Sequence, residues 1–505
     1  MPAMATGTER VKHSIERIDL KFKFDSTGPK CFSEQNQATM DKRPNILLLL
    51  TDQQRWDTLS AAGFPWMQTP NLDRLAARGT IFSQAYCNSP LCMPSRQSML
   101  SGRYPSSAGC TGNGVEMRED IPNAATLLGD AGYHTANIGK LHFKNHAHRD
   151  HSDPHPSYGF DTLLISDEPG MYEDAYTTWL KSRELNDIRQ WKIESPPGCG
   201  HDYRISGPGR KVTEPLPFTG PDDASHSSWV AQETCDFLSR HANDPFFCIA
   251  GFFAPHSPVN PPQKWLDAYQ DTEVPLPIMN ESEREKQGLS DEEWISIRRA
   301  YYALVSHVDE EIGRILNHLD RLGLTDNTLI VFTSDHGEHL GDHGAIHKGP
   351  PGLDSCAHVP LIVAAPDSMK IPRGGQCDEL VELVDFLPTC LDFARIPCPP
   401  SLQGQSLKPL LTPGTNGQPA GRSSVFIEWR RAHLSGVKTV RSRDAWYARY
   451  HDGGETLFDL AKDPHQLTNV AEDPNYSELL DRMRNELLGK WFEVEDQGRR
   501  ASGRY

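Results

Sequence analysis

Short apolar runs alternate with amphipathic segments of helical spacing along residues 45–365. The runs have the length of buried strands and lie at 45–51, 133–139, 246–253, 328–334 and 359–365. The helical patterns between them lie at 71–78, 122–131, 227–241 and 303–322. Strands that alternate with helices predict an α/β fold, in which a mostly parallel central sheet is covered by helices on both faces.

Polar side chains follow four of these runs, at the point where each strand is expected to end. They are Asp52, Lys140, His142, His256, Asp335 and His336. Ligands of parallel sheets bind beyond the carboxyl ends of the strands. We therefore expect these side chains to meet at one edge of the sheet, whereas random placement would scatter them over both edges.

The pattern changes after residue 396. Residues 397–421 are dense in Pro, Gly, Ser and Thr and predict a connection. Four short alternating runs follow, at 424–429, 438–441, 446–450 and 456–460, and a helical pattern closes the chain at 475–491. We expect an N-terminal extension that contributes little to the fold at 1–43, a main α/β domain at 44–420 and a C-terminal α+β subdomain at 421–505 with a short antiparallel sheet. Residues 145–225 show weak periodicity and predict long loops over the site.

Composition excludes several classes of partner. The net charge of −17, from 51 basic and 68 acidic residues without a basic run, argues against nucleic acid and an anionic membrane surface. A spanning helix would need about 18 consecutive apolar residues, which the sequence lacks. The first 43 residues lack the pattern of a secretory signal. An odd set of 11 irregularly spaced cysteines predicts reduced thiols, and hence a cytoplasmic protein.

One cysteine stands in a distinctive setting. The run 92–96 (CMPSR), followed by 101–103 (SGR), resembles the maturation signal of the type I sulfatases, members of the alkaline-phosphatase-like superfamily. The resemblance implies that Cys92 is oxidised to formylglycine by a maturation enzyme, with Arg96 holding its side chain. It also implies an alkaline-phosphatase-like α/β/α sandwich over roughly residues 44–395. The alternative is that Cys92 is an unmodified cysteine that acts only as a small, buried, hydrophobic residue.

A metal site follows from the same resemblance. Its expected ligands are Asp52, Gln53, Asp335 and His336. Many family members have two carboxylates where this chain has Asp52 and Gln53, so the identity of the ion stays open. Calcium is the family default, and manganese or zinc suits the imidazole of His336. A single Asp at a strand end is more often a turn or helix cap.

The remaining site residues are also implied by family motifs. Lys140 and His142 match a strand-end Lys-x-His pair, and His256 lies in a Pro-His-x-Pro loop that brings a histidine to the leaving-group oxygen. Lys348 matches a second sulfate-binding lysine. Asn113 lies at the same sequence distance from the nucleophile as an asparagine that contacts the substrate oxygens in the choline sulfatase and phosphonate monoester hydrolase branch.

These motifs predict a sulfatase that cleaves a small-molecule or carbohydrate sulfate monoester. The closest rival is a phosphonate monoester hydrolase or phosphodiesterase on the same scaffold, which Gln53, His336 and Asn113 would suit. Lys140 and His142 favour the sulfate ester, because that branch tends to have neutral hydroxyl residues there. A catalytically silent binding protein with an unmodified Cys92 is the third possibility. The sulfated alcohol and homo-oligomerisation stay open.

Overall fold

The structure is a computed structural model that describes residues 43–145, 151, 153–170, 172–185, 217–412, 421–431 and 435–495. The expected N-terminal extension, apart from residue 43, lies outside the described residues. So do residues 413–420 of the expected connection and residues 186–216 of the expected loops over the site.

The strands are β1 (Asn45–Asp52), β2 (Thr80–Phe82), β3 (Ala85–Tyr86), β4 (His134–Gly139), β5 (Thr162–Ile165), β6 (Phe246–Pro255), β7 (Thr328–Ser334), β8 (Leu361–Ala364), β9 (Gly375–Cys377), β10 (Val381–Glu382), β11 (Ser424–Arg431), β12 (Ser435–Ser442), β13 (Ala445–Tyr450) and β14 (Glu455–Asp459).

The α-helices are α1 (Pro70–Arg78), α2 (Cys92–Ser101), α3 (Pro105–Ala108), α4 (Ala124–Gly129), α5 (Ala175–Ser182), α6 (His226–Arg240), α7 (Gln263–Tyr269), α8 (Glu281–Gln287), α9 (Asp291–Arg321), α10 (Asp354–Ala357), α11 (Phe386–Phe393) and α12 (Ser477–Val494). Within the described ranges, no helix carries an apolar stretch that would span a bilayer.

The central sheet has the order β5-β4-β6-β1-β7-β8-β2-β9. Strands β5, β4, β6, β1 and β7 are parallel, which confirms the predicted mostly parallel sheet. The run at 359–365 is the exception, because β8 pairs antiparallel with both β7 and β2. Parallel neighbours need a crossover over one face of the sheet. The segment between β7 and β8 instead stays at the carboxyl edge, so the chain re-enters the sheet from the edge at which it left.

Both faces of the sheet are covered, as predicted. In β1, Ile46, Leu48 and Leu50 belong to one apolar core, and Leu47 and Leu49 belong to another. Alternate side chains of a strand point to opposite faces. Helices α4 and α11 supply the first core and α6 and α9 the second, which gives the α/β/α sandwich.

Helix α9 is longer than its apolar pattern predicts. It begins at Asp291 rather than at residue 303. Ser290 and Glu293 form a reciprocal capping box that starts the helix within a polar segment, where the apolar pattern gives no signal. The apolar periodicity indicates only the part of this helix that packs on the sheet.

A second, antiparallel sheet has the order β11-β12-β13-β14 and packs against α12, as predicted for the C-terminal part. Val425 and Ile427 of β11 belong to the same apolar core as Leu48 of β1. The small sheet is therefore packed continuously with the large one, and the proposed domain boundary at 420/421 stays a prediction.

Candidate active site

The carboxyl edge of the central sheet brings two acidic side chains together. Asp52 ends β1, and Asp335 directly follows β7. These strands are parallel neighbours with Thr51 opposite Ser334, and the N–H of Asp335 donates to the carbonyl of Thr51 at 3.2 Å. The register of two adjacent strands thus explains why residues far apart in sequence share one site.

Cys92 begins α2 and lies at the centre of this group. Its Sγ is 2.7 Å from Nζ of Lys348, 3.2 Å from Nε2 of His336 and 3.8 Å from Oδ1 of Asp52. The side chain is 1% exposed. Burial is the main cause that raises the pKa of the thiol to about 12, with the Asp52 carboxylate adding to it. At neutral pH the residue is therefore a thiol, and a thiol is a poor nucleophile.

The carboxylate of Asp52 is surrounded by cations. Its Oδ2 lies 2.8 Å from Nζ of Lys140 and 3.4 Å from Nη2 of Arg96, and its Oδ1 lies 3.9 Å from Nζ of Lys348. Burial acts to raise the pKa of Asp52, but Lys140 and then Lys348, His256 and Arg96 together hold it well below its usual range. Asp52 is therefore ionised and able to bind a cation.

Arg96 connects three strand ends, because it contacts Asp52, Asp335 and Lys140. Its Nε donates to Oδ2 of Asp335 at 2.7 Å, and its Nη1 donates to the carbonyl of Lys140 at 2.8 Å. The guanidinium is fully buried. Charge-assisted hydrogen bonds of this kind fix geometry strongly. Arg96 therefore holds the sheet edge and the first turn of α2 in one arrangement.

Gln53 is held by its backbone and its amide nitrogen, while its amide oxygen has no hydrogen-bond partner among the described residues. Its N–H donates to Oδ1 of Asp335 at 3.0 Å, its carbonyl accepts from the Tyr301 hydroxyl at 2.6 Å, and its Nε2 donates to Glu338. The residue has φ of +66°, a left-handed conformation that costs energy for a non-glycine residue. A buried, unsatisfied amide oxygen fits a cation ligand.

His336 offers an imidazole nitrogen to the same place. Its Nδ1 lies 2.9 Å from the carbonyl of Gly337, so this nitrogen carries the proton and Nε2 carries the lone pair. Burial, the largest cause, lowers the pKa of the imidazole, which favours the neutral form. Ligand atoms of Asp52, Cys92, Asp335 and His336 all lie within 4.8 Å of one another. With the oxygen of Gln53, this donor set fits a divalent cation.

Lys140 is wholly buried between two carboxylates and an aromatic ring. Its Nζ lies 2.8 Å from Asp52, 3.7 Å from Glu168 and 4.7 Å from the ring centroid of Phe253. Burial acts to lower the pKa of this lysine, but Asp52 and Glu168 raise it above its usual value. The side chain is therefore an ammonium group at the base of the site.

His142 follows Lys140 on a tight turn. It has φ of +56°, and its N–H and that of Leu141 both donate to Oδ1 of Asp167, at 2.8 and 2.9 Å. The segment is therefore not extended at His142, because Asp167 holds the backbone directly after β4. The histidine is buried.

His256 and Asn113 approach the site from two other loops. His256 is 1% exposed, its Nδ1 lies 2.8 Å from the carbonyl of Ser257, and its electrostatic interaction with Asp52 is one cause of the lowered pKa of that carboxyl. Asn113 is exposed, and its Oδ1 accepts the N–H of Met93 at 3.1 Å in the first turn of α2. This bond leaves the amide NH₂ group of Asn113 as a donor.

Sequence reasoning missed three acidic residues that hold this site together. Asp167 and Glu168 come shortly after β5, a four-residue strand whose side chains are only half-buried, so its apolar run is easily overlooked. The rule that placed polar residues at strand ends would have included them. The third residue, Glu338, carries no such signal, because it contacts the site from a loop.

Comparison with known proteins identifies the family. The sulfatase family model matches residues 44–396, and a second model, N-sulphoglucosamine sulphohydrolase, C-terminal, matches residues 341–491. An arylsulfatase of Clostridium perfringens (strain 13 / Type A) is 32% identical over 483 residues, covering 90% of this chain and 96% of that relative. A choline-sulfatase of Rhizobium meliloti (strain 1021) is 30% identical, covering 86% and 83% respectively.

A solved structure supports the fold. The phosphonate monoester hydrolase of Agrobacterium radiobacter superposes with a TM-score of 0.78 at 26% identity, covering 90% of this chain and 97% of that one. The match to the sulfatase model spans most of the chain, and the arylsulfatase matches over nearly its whole length. The chain therefore belongs to the sulfatase family and is a hydrolase that acts on sulfuric ester bonds.

Proposed function

We propose that this sulfatase cleaves an organic sulfate monoester with a formylglycine made from Cys92 and one divalent cation. The ligands proposed for the cation are Asp52, Gln53, Asp335 and His336. The observation that carries the proposal is the position of Cys92, whose Sγ lies 2.7 Å from Lys348 and within a group of ligand atoms that fits a cation. A buried thiol of raised pKa would be a poor nucleophile itself, which favours its conversion.

The conversion replaces the Cβ–S bond of Cys92 by a carbonyl, so a maturation enzyme must supply an external two-electron oxidant while sulfur leaves as sulfide. The hydrated aldehyde provides one hydroxyl to attack sulfur and a second that lets sulfate leave when the carbonyl forms again. A bound divalent cation would stabilise negative charge on the attacking oxygen and on the sulfate oxygens.

Two lysines and one amide are proposed to hold the sulfate. Lys348 is 12% exposed and reaches Cys92 from the open side, whereas Lys140 is buried beneath Asp52. Charge shifts onto the sulfate oxygens in the transition state, and preorganised donors in a water-poor site stabilise such charge strongly. The NH₂ group of Asn113 would be a neutral third donor at the start of α2.

Two histidines are proposed to move protons. His256 protonates the alcohol oxygen as the S–O bond breaks. His142 accepts the proton of the second hydroxyl, after which sulfate leaves. Asp167 supports this role, because it holds the turn on which His142 lies.

For the cation we propose calcium first, because carboxylate and amide oxygens are three of its four protein ligands. The nitrogen of His336 keeps manganese and zinc as alternatives. Calorimetric titration of metal-free protein with each chloride salt would rank them. Calcium is the wrong choice if manganese or zinc binds more tightly.

The substrate is proposed to be a carbohydrate sulfate or a small-molecule sulfate. The names of the relatives support both classes, since they include an N-acetylglucosamine-6-O-sulfatase, a choline-sulfatase and an arylsulfatase. A screen of sugar, choline and aryl sulfates with matured enzyme decides between them. The free thiols among the described cysteines fit a reducing compartment, and we propose the cytoplasm.

A phosphonate monoester hydrolase is the second candidate function. The structural similarity to the Agrobacterium radiobacter enzyme favours it, as does the Gln53–His336 combination. Turnover of 4-nitrophenyl sulfate and of 4-nitrophenyl phenylphosphonate should be compared on the same preparation. We expect the sulfate to be hydrolysed faster, and faster phosphonate turnover would reverse the assignment.

The proposal is tested directly by the mass of the tryptic peptide that contains Cys92. Replacement of the thiol by an aldehyde lowers its mass by about 18 units. Protein from a host with a maturation enzyme should show this loss in proportion to its activity. An unchanged thiol in active protein would refute the formylglycine, and an unchanged thiol in inactive protein would favour a silent binding protein.

A further inference from the structure

We propose that Glu338 is a positioning residue that orients the Gln53 amide toward the cation and fixes the loop that carries Lys348. The inference rests on the proposed function, since it concerns the same metal site. Glu338 follows His336 by two residues, but no family motif used above includes it.

The Glu338 carboxylate is buried, with 3% of the residue exposed, and it accepts three hydrogen bonds. One oxygen accepts from Nε2 of Gln53, and the other accepts the backbone N–H groups of Leu340, at 2.9 Å, and of His347. One side chain therefore joins the end of β1 to both ends of the loop between residues 338 and 348.

The bond to Gln53 decides which atom of its amide is available to a cation. An amide has one donating and one accepting end, and a carboxylate can accept but cannot donate. Glu338 therefore binds the NH₂ end, and the amide oxygen is the end left for a cation. This oxygen has no hydrogen-bond partner among the described residues. If the amide turned over, an NH₂ group would face the cation and a lone pair would face Glu338.

The second oxygen acts on the loop of Lys348. His347 has φ of +76°, a left-handed conformation, and its N–H is held by Glu338 while its carbonyl accepts from His339 at 2.8 Å. Lys348 is the next residue, and its Nζ reaches Sγ of Cys92. Loss of the N–H bond would free a strained residue directly before the lysine that is proposed to bind sulfate.

Three variants separate the two roles. In E338Q, the oxygen of the new amide can still accept hydrogen bonds from the backbone N–H groups of Leu340 and His347. Its NH₂ group then faces the NH₂ group of Gln53. Gln53 must turn over, and we expect Ca²⁺ affinity to fall about 10- to 100-fold. In the double variant Q53E/E338Q, the donor and acceptor are exchanged and every hydrogen bond is regained, so affinity should return to the wild-type value or above. In E338A, both hydrogen bonds to the loop are also lost, and the KM for 4-nitrophenyl sulfate should rise beyond that of E338Q.

The measurements are calorimetric titrations of metal-free protein with Ca²⁺ and separately with Mn²⁺, together with steady-state kinetics. Glu428→Gln is the matched control, since Glu428 is an equally buried carboxylate in the C-terminal sheet and should leave affinity unchanged. Affinity of E338Q within about twofold of wild type, or a double variant that binds no better than E338Q, would overturn the pairing.

Folding and function are separable in this design. If E338Q does not fold but the double variant folds and binds Ca²⁺, the pairing is supported; if neither folds, it is rejected, because the double variant retains all the assigned bonds. A wild-type protein that binds neither ion would refute the proposed metal site itself. If the wild-type protein binds the ion and E338Q binds it equally tightly, only the role of Glu338 is refuted.

Discussion

Nζ of Lys348 lies 2.7 Å from Sγ of Cys92, although 256 positions separate them in sequence. The loop between β7 and β8 makes this contact possible, because it remains at the carboxyl edge of the sheet. The first turn of α2 meets the loop there. The contact joins the proposed nucleophile to a lysine that is proposed to bind sulfate.

Replacement of Cys92 should be the most damaging single change at the site. We expect Cys92→Ala to lower kcat/KM for 4-nitrophenyl sulfate by at least about 10⁴-fold, against about 10²-fold for Lys348→Ala, because the first removes the reacting group and the second one stabilising charge. The exposed Cys398 provides the control, and Cys398→Ala should leave kcat/KM unchanged. Equal losses for the first two variants would contradict the proposed roles.

Metal binding should be visible as thermal stabilisation. After treatment with a chelator and desalting, addition of Ca²⁺ well above its Kd should raise the Tm by about 1–3 °C, because the ion binds only the folded chain. Asp335→Asn should remove this shift by taking away a ligand charge. Asp367→Asn alters a partly exposed carboxylate that pairs with Arg78, and it should keep the shift. A shift that survives in Asp335→Asn would place the ion elsewhere.

Lys140→Met should affect both activity and stability. We expect a loss of about 10²-fold in kcat/KM, and a destabilisation of about 3 kcal/mol because the buried carboxylate of Asp52 loses its nearest cation. Urea denaturation and kinetics on the same preparation measure the two effects. Lys286→Met, at an exposed position of α8, is the control for loss of a lysine.

Alanine substitutions at two glycines can distinguish the cost of a steric clash from the cost of an unfavourable backbone conformation. Gly139 and Gly132 have similar φ values of +100° and +90°, but a Cβ at Gly139 would lie 2.0 Å from the carbonyl oxygen of Gly251, whereas one at Gly132 would meet nothing within 4 Å. Gly132→Ala should therefore cost about 1 kcal/mol of stability, and Gly139→Ala clearly more. Gly139→Ala should also lower kcat, since it displaces Lys140. Equal Tm values for the two variants would contradict the predicted clash.

A buried histidine should make the protein less stable in acid. Burial, the largest cause, lowers the pKa of His358 from 6.5 to about 4, and its ring stacks between Trp56 and Tyr86. Between these pH values the unfolded chain binds a proton that the folded chain does not, so the free energy of unfolding falls as pH falls. His358→Gln should reduce this slope by about 1.4 kcal/mol per pH unit. Urea denaturation at pH 5 and pH 7 measures it, and an unchanged slope would be inconsistent with the lowered pKa.

The part of the site that was predictable lies at the ends of strands with strong apolar patterns. Asp52, Lys140 and Asp335 follow such strands, and topology alone brings them to one edge. Their catalytic roles stay predictions. The direction of β8 was not predictable, because an apolar run has the same pattern in either direction. Glu338 was also out of reach, because its importance comes from three hydrogen bonds made across loops.

Every residue of α2 is buried, including Cys92 at its first position. A separate protein that oxidises this cysteine, as proposed, would need access to its side chain, which the folded chain buries. If Cys92 is converted as proposed, conversion would then take place on the nascent or unfolded polypeptide, in competition with folding. The ratio of aldehyde to thiol would be set once in the lifetime of each molecule, and later incubation of folded thiol protein with the oxidising enzyme would leave it inactive.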